Sequence, residues 1–169
     1  MERRRLGKTD MDVSVLGFGG SEIGYERASA RTVARLLGSA LDAGLNVIDT
    51  AECYEESEAL IGAALGSRRS ESYLLTKCGH PRGFGRGDWR PASLLSSIER
   101  SLKRLRTDRL DLIQLHSCSL ADLRQGDAIG ALEGARARAA GLGTSATAAT
   151  GRRPATRSSA GASTRCRPR

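Results

Sequence analysis

Apolar positions along this chain follow two periods that alternate. The segments LNVIDT (45–50), SYLLTKCG (72–79) and LDLIQLHS (110–117) are short runs of nearly continuous hydrophobicity. Burial on both faces of a parallel sheet demands that pattern. Between them the spacing changes to that of a helical face. Val33, Leu36, Leu37, Ala40 and Leu41 predict a helix stopped at Gly44, and Leu60, Ile61, Ala64 and Leu65 predict one over Ser57–Leu65, ended by Gly66. Leu94, Leu95, Ile98, Leu102 and Leu105 line one side of a third helix that starts at Pro91, with Arg100, Lys103 and Arg104 on its other side. Ahead of these, RRRLGKTDMDVSVLGFGG predicts a strand, a polar turn and a second strand in which Val13, Val15 and Leu16 lead into Gly17, Gly19 and Gly20. The Gly- and Arg-rich HPRGFGRGDWR (80–90) is a loop long enough to fold over a site, with Phe84 and Trp89 as its large surfaces, although a solvated loop is the plainer reading.

The predicted order is a β-hairpin followed by repeated βα units, which is an α/β fold of the (β/α)8, or TIM, barrel type. Alternation along each strand sets Val47 and Asp49 against Ile48, Leu75 and Lys77 against Thr76 and Cys78, and Gln114 and His116 against Leu115. Asp49, Lys77 and His116 can therefore point inward together. A complete barrel takes ~250 residues. About four βα units fill the stretch from Val15 to about Ala139, so the expectation is a partial barrel over 1–139 followed by a tail over 140–169.

Charge divides the chain a few residues earlier. Residues 1–133 carry 19 Lys+Arg and 19 Asp+Glu, and residues 134–169 carry eight Arg and no acid, so the net +8 belongs to the tail. Leu142 is the only large apolar residue after Glu133. Such a segment cannot bury enough surface to offset the entropy of ordering it, and disorder is expected. Its Ala, Gly, Arg, Ser, Thr and Pro bias is what a GC-rich gene yields out of frame, the alternatives being a genuine disordered tail or a phosphate-binding arm. With no aromatic residue and no Lys, the tail argues against a nucleic-acid partner. Four cysteines at 53, 78, 118 and 166 form no CxxC pair, so neither a disulfide framework nor a zinc finger is signalled. No apolar run is long enough to cross a bilayer, and MERRRLGKTD lacks the hydrophobic stretch of a signal peptide, so no membrane partner and a cytoplasmic location are expected.

Chemistry gathers at the strand ends. Asp49, Tyr54, Lys77 and His116 each lie at or just past the end of an apolar run, where a βα barrel assembles its active site. Together they make a proton-transfer set: a phenol, an ammonium, a carboxylate to hold the ammonium, and an imidazole. Singly, each has a plain structural role as a helix cap, a packing ring, a solvated ammonium or a local hydrogen-bonding group. Cys53, Cys78 and Cys118 also fall near the barrel mouth with His80 and His116, but Cys78 alternates away from Lys77, which argues against a metal site.

From Arg4 to about Glu133 the chain resembles the aldo-keto reductases, through RRLGKT…VSVLGFGG, DTAECY with SEALIGAAL, LLTKCG, and SIERSLKRLRTDRLDLIQLHS. The resemblance implies a (β/α)8 barrel that binds NADPH, with NADH as the alternative, and reduces aldehydes or ketones to alcohols. Its catalytic tetrad falls on Asp49, Tyr54, Lys77 and His116. Tyr54 would donate the proton, Lys77 would lower its pKa, Asp49 would hold Lys77, and His116 would orient the carbonyl. Gly19, Gly20 and Asp49 are the candidates for cofactor proximity. Glu55 and Arg106 stand where the family often has glycine. Because most of the family's cofactor contacts come from later strands, impaired or absent activity is expected of a half-barrel. The alternative is a non-catalytic scaffold that self-associates through unpaired strand edges.

Overall fold

The computed structural model describes residues 1–138 and 145–146. Strand β1 (Arg3–Arg5) pairs antiparallel with β2 (Asp12–Ser14), Arg3 facing Ser14. Asn46 ties this hairpin to the body. Its side chain accepts from Ser14 N at 2.7 Å and donates to Asp12 O at 2.9 Å, while its own N–H donates to Ser14 Oγ at 3.0 Å. Val15 and Leu16, expected to lead a strand into the body, are instead exposed in the connection to β3 (Phe18–Gly19).

From there the chain alternates. Helices α1 (Ser21–Tyr25) and α2 (Ala30–Asp42) precede β4 (Val47–Asp49), and α3 (Ser57–Leu65) with the 3₁₀ segment Gly66–Glu71 precedes β5 (Tyr73–Cys78). Helix α4 (Pro91–Arg104) leads to β6 (Leu112–Leu115), and α5 (Leu120–Gln125) with α6 (Asp127–Arg138) leads to β7 (Ser145–Ala146). The five strands β3 to β7 are all parallel and lie in sequence order. A sheet wound once in a single direction, with a helical crossover between every pair of neighbours, is an arc of a βα barrel. The fold is thus the partial (β/α)8 barrel read from the sequence.

Alternation sorts the two faces as expected. Ile48, Leu74, Cys78, Ile113 and Leu115 are buried against the helices with Val33, Leu37, Leu41, Ile61, Leu94 and Leu105. On the lumen face Val47, Asp49, Lys77 and Gln114 are only partly covered. Leu36, placed on the buried side of α2 by its spacing, is 44% exposed; Val33, Leu37 and Leu41 hold that helix down. Helix α2 starts where Ser29 accepts from Thr32 N, and α4 starts with Pro91, whose missing N–H leaves no bond unmade.

Two arginines of α4 depart from the solvated role their spacing gave them. Arg100 reaches Glu52 at 3.2 Å and Arg104 reaches Glu58 at 3.4 Å, and both carboxylate side chains are buried, at 1% and 0% exposed. Glu58 also accepts from Thr76 Oγ1 at 2.7 Å. At the crossing of α3 and α4, Gly62 leaves room for the chain: a Cβ there would lie 2.5 Å from Leu105 C and 2.6 Å from Arg104 O.

Order also runs past Glu133. Helix α6 continues through Gly134 to Arg138, and Ser145 and Ala146 pair with Leu112 and Ile113 of β6. Disorder from Gly134 onward therefore does not describe these residues. The helix persists because Ala128 and Leu132 bury its inner side against the body while Arg136 stays exposed. The remainder of the 140–169 tail, with the disorder expected of it, lies outside the described residues. Among the described residues no helix is long and apolar enough to cross a membrane.

Candidate active site

The sheet ladder runs past the strand ends and sets the site in register. Gly20 N donates to Asp49 O (2.8 Å), Thr50 N to Leu75 O (2.9 Å), Glu52 N to Lys77 O (3.1 Å) and His116 N to Cys78 O (2.9 Å). Asp49 and Lys77 share the lumen face, and Lys77 Nζ donates to Asp49 Oδ2 at 2.6 Å and to Thr50 O at 2.8 Å. The pair is half sheltered, with 14% of the lysine side chain and 39% of the aspartate exposed.

Tyr54 comes from the turn between β4 and α3. Its N–H donates to Ala51 O at 3.1 Å and its carbonyl accepts from Ser57 N at 2.9 Å. Glu55 completes that turn at φ 47°, the left-handed region that glycine enters most easily. The Tyr54 ring lies 5.2 Å from Lys77 Nζ, and the His116 ring meets it edge-on at 5.6 Å. All four strand-end residues therefore converge on one mouth of the barrel arc.

Electrostatics departs from the sequence reading at Tyr54. Burial, followed by the Asp49 carboxylate and then by the neighbouring Cys53 and Tyr25, pushes the phenol up to about 12 rather than down. Lys77 does not lower it because the ammonium is spent on Asp49 at 2.6 Å, and the Asp49 charge works in the opposite direction. Burial first, then Lys77 and His80, brings the His116 imidazole down to about 4, so it is neutral at physiological pH.

Several contacts were not legible as parts of the site. Cys53 Sγ lies 3.3 Å from His116 Nδ1. Glu52 Oε1 accepts from Gly79 N at 2.7 Å and His80 N at 2.9 Å, which fastens the start of the 80–90 loop beside Tyr54. His80 Nε2 donates to His116 O at 2.8 Å. Phe84 stacks on His80 at 5.1 Å and meets His116 at 5.3 Å, while Trp89 packs edge-on to His80 at 5.6 Å. The loop is not merely solvated: Phe84 meets His116, and Trp89 packs behind it on His80. The signal in the sequence was DTAECY itself, where Glu52 and Cys53 immediately precede Tyr54. A cavity of about 640 Å³ lies against the other side of the loop, lined by Arg82, Arg86, Trp89 and Asp122 among others, and includes none of the four strand-end residues. Asp49, Tyr54, Lys77 and His116 meet at the open barrel mouth and not in that cavity.

Of the two glycines, Gly19 faces open space beside Asp49, its partner in register, and Gly20 is close-packed, where a Cβ would lie 2.7 Å from Ser57 Oγ. Among the described residues no group of three or more His, Cys, Asp or Glu is placed to hold a metal ion.

Residues 15–148 match the sequence model of the Aldo/keto reductase family. The match runs past Glu133, where the resemblance read from motifs ends. The uncharacterized oxidoreductase YqkF of Bacillus subtilis is 34% identical over 128 residues, covering 72% of this chain and 41% of that protein. L-galactose dehydrogenase of Arabidopsis thaliana is 32% identical over 133 residues, covering 74% of this chain and 41% of that protein. The solved structure of aldo-keto reductase AKR11C1 from Bacillus halodurans, in its holo form, superposes with a TM-score of 0.76 at 31% identity, covering 88% of this chain and 50% of that one. The chain thus spans about two fifths of the curated relatives it matches.

Proposed function

This chain belongs to the aldo/keto reductase family, and we propose that its strand-end cluster serves the reduction of a small aldehyde or ketone to the alcohol, with Tyr54 as proton donor. The observation that carries this reading is the placement of Lys77 Nζ, 2.6 Å from Asp49 Oδ2 and 5.2 Å from the Tyr54 ring, with His116 edge-on to the same ring. The described side chains offer proton donors but no hydride donor, so the donor set fits a reduced nicotinamide dinucleotide, NADPH in preference and NADH as the alternative. When bound, that group supplies the hydride. Gly19 and Asp49 would lie beside it, a reading supported by the open space that Gly19 faces next to the carboxylate; Gly20 instead holds the junction with α3 through Ser57.

The chain's own residues then do the following. Tyr54 holds its proton through the physiological range and delivers it to the carbonyl oxygen as negative charge builds there, a contribution of roughly 10²–10⁴-fold. His116, neutral, donates a hydrogen bond to the same oxygen and fixes its position. Lys77 supplies positive charge beside the ring, and Asp49 with Thr50 O keeps the ammonium in place. Phe84, against His116, reduces access of water along one side of the site.

Trp89 is the sole tryptophan of the chain and packs on His80, whose Nε2 bonds His116 O, so its fluorescence reports on the loop beside the site. Titration with NADPH should quench it saturably, and no saturable change would contradict cofactor binding. A second reading rests on the sheet order, in which β3 and β7 are the edge strands among the described residues. Such edges pair with other chains. A dimer that forms equally with and without NADPH, in a chain that does not bind it, would favour a self-associating scaffold.

A further inference from the structure

We propose that Cys53 is a positioning residue that holds His116 in the Nε2–H tautomer by donating its thiol hydrogen to Nδ1. The inference deepens, and rests on, the reading of His116 as the group that orients the carbonyl. Its basis is geometric. Cys53 Sγ lies 3.3 Å from Nδ1, inside the reach of a hydrogen bond to sulfur, and the residue is 3% exposed. Both ends of the contact are fixed by backbone: Glu52 N and Tyr54 N bond either side of Cys53, and His116 N bonds Cys78 O. The imidazole is also boxed in, with Tyr54, His80 and Phe84 rings at 5.6, 5.5 and 5.3 Å.

The direction of the bond follows from the chemistry of the two groups. Burial pushes the thiol up to about 11, so it keeps its hydrogen, and the imidazole, brought down to about 4, carries one N–H. Either the thiol donates to Nδ1 or Nδ1–H donates to sulfur. Thiol sulfur is a weak acceptor and an unprotonated imidazole nitrogen a good one, so the first arrangement prevails. The single imidazole hydrogen is then on Nε2, to which no protein group hydrogen-bonds among the described residues. A carbonyl oxygen needs a donor there, and the other tautomer would present a lone pair. The adjacent pair Cys53-Tyr54 in this way sets the proton on both groups that would meet the substrate oxygen.

Long-range proton–nitrogen correlation spectra of ¹⁵N-histidine protein, without cofactor or carbonyl, read the tautomer directly. The chain has two histidines, and His80→Gln assigns them. The expected result is His116 as the Nε2–H tautomer in the wild type and in Cys53→Ser, whose hydroxyl can still donate, and a mixture of tautomers in Cys53→Ala with the His80 signals unchanged. A wild-type Nδ1–H tautomer, or a Cys53→Ala spectrum identical to wild type, overturns the proposal. Should Cys53→Ala fail to fold, the Cys53→Ser protein decides: a tautomer shared with wild type supports the proposal, and a lost one overturns it. A chain that shows the expected tautomers yet reduces no carbonyl would overturn the reductase reading and leave the role of Cys53 standing.

Discussion

Lys77 meets Tyr54 through the face of its ring, at 5.2 Å from the centroid, while its hydrogen bonds go to Asp49 and Thr50. No hydrogen bond joins the ammonium to the phenol oxygen among the described residues. The lysine therefore lends the ring a nearby positive charge without drawing off its proton, and Tyr54, pushed up to about 12, stays protonated well into the alkaline range. A group whose pKa is raised keeps its proton below that value. Carbonyl reduction should accordingly show no loss attributable to Tyr54 between about pH 7 and 10. A rate that declines through about pH 8 to 9, and does so only when Tyr54 is present, would mean that the phenol ionises far lower.

Asp49 is the charge that offsets Lys77 and, after burial, the largest cause of the raised phenol. Asp49→Asn removes a negative neighbour and releases the ammonium, so Tyr54 should ionise at a lower pH than in the wild type. Ultraviolet difference titration of the three tyrosines, with Tyr54→Phe as the subtraction, measures this. An unchanged or higher midpoint would show that the coupling runs otherwise.

Glu52 and Arg100 are unequal partners. The carboxylate is buried and accepts two backbone N–H groups besides the arginine, whereas the arginine is 38% exposed. Glu52→Ala leaves the Gly79 and His80 amides without acceptors and should destabilise by about 2–4 kcal/mol. Arg100→Ala leaves the carboxylate with both amides and should cost only about 1 kcal/mol. Denaturant unfolding of the two variants checks the order, and equal losses would mean that the ion pair rather than the amides holds the loop.

Arg106 follows α4 at φ 51°, and Glu55 follows Tyr54 at φ 47°. These are the two positions where the family often has glycine, and the backbone shows why. Arg106→Gly should stabilise the chain by ~0.5–1 kcal/mol, because relief of left-handed strain exceeds the entropy that glycine adds to the unfolded state. A loss of stability would show that the arginine side chain offsets the strain.

The strands and the three longest crossover helices before residue 105 were legible because their apolar residues repeat at one period over several turns or along one run. Helix α3 matches its expected span, Ser57–Leu65. The convergence of Asp49, Tyr54, Lys77 and His116 was legible because the strand ends of a βα arc open on one mouth. The five-residue α1 was not, since so short a segment shows no period, although it brings Tyr25 to within 5.7 Å of Tyr54. Buried Glu52 and Glu58 were missed for a related reason: periodicity assigns charges to the solvent side and cannot see that Arg100 and Arg104 reach back over the helix surface. The sign of the Tyr54 shift needed distances, because Lys77 and Asp49 act on the phenol in opposite directions and only geometry says which prevails. Helix α6 beyond Glu133 was hidden by a composition that its few buried residues outweigh.

The most direct test of the account is aldehyde-dependent oxidation of NADPH by the purified chain, compared with Tyr54→Phe at equal protein concentration. Slow but measurable turnover in the wild type, lowered at least ~100-fold in the variant with little change in NADPH affinity, is the expected result. Equal rates in the two proteins would contradict the assignment of this cluster as a carbonyl-reducing site.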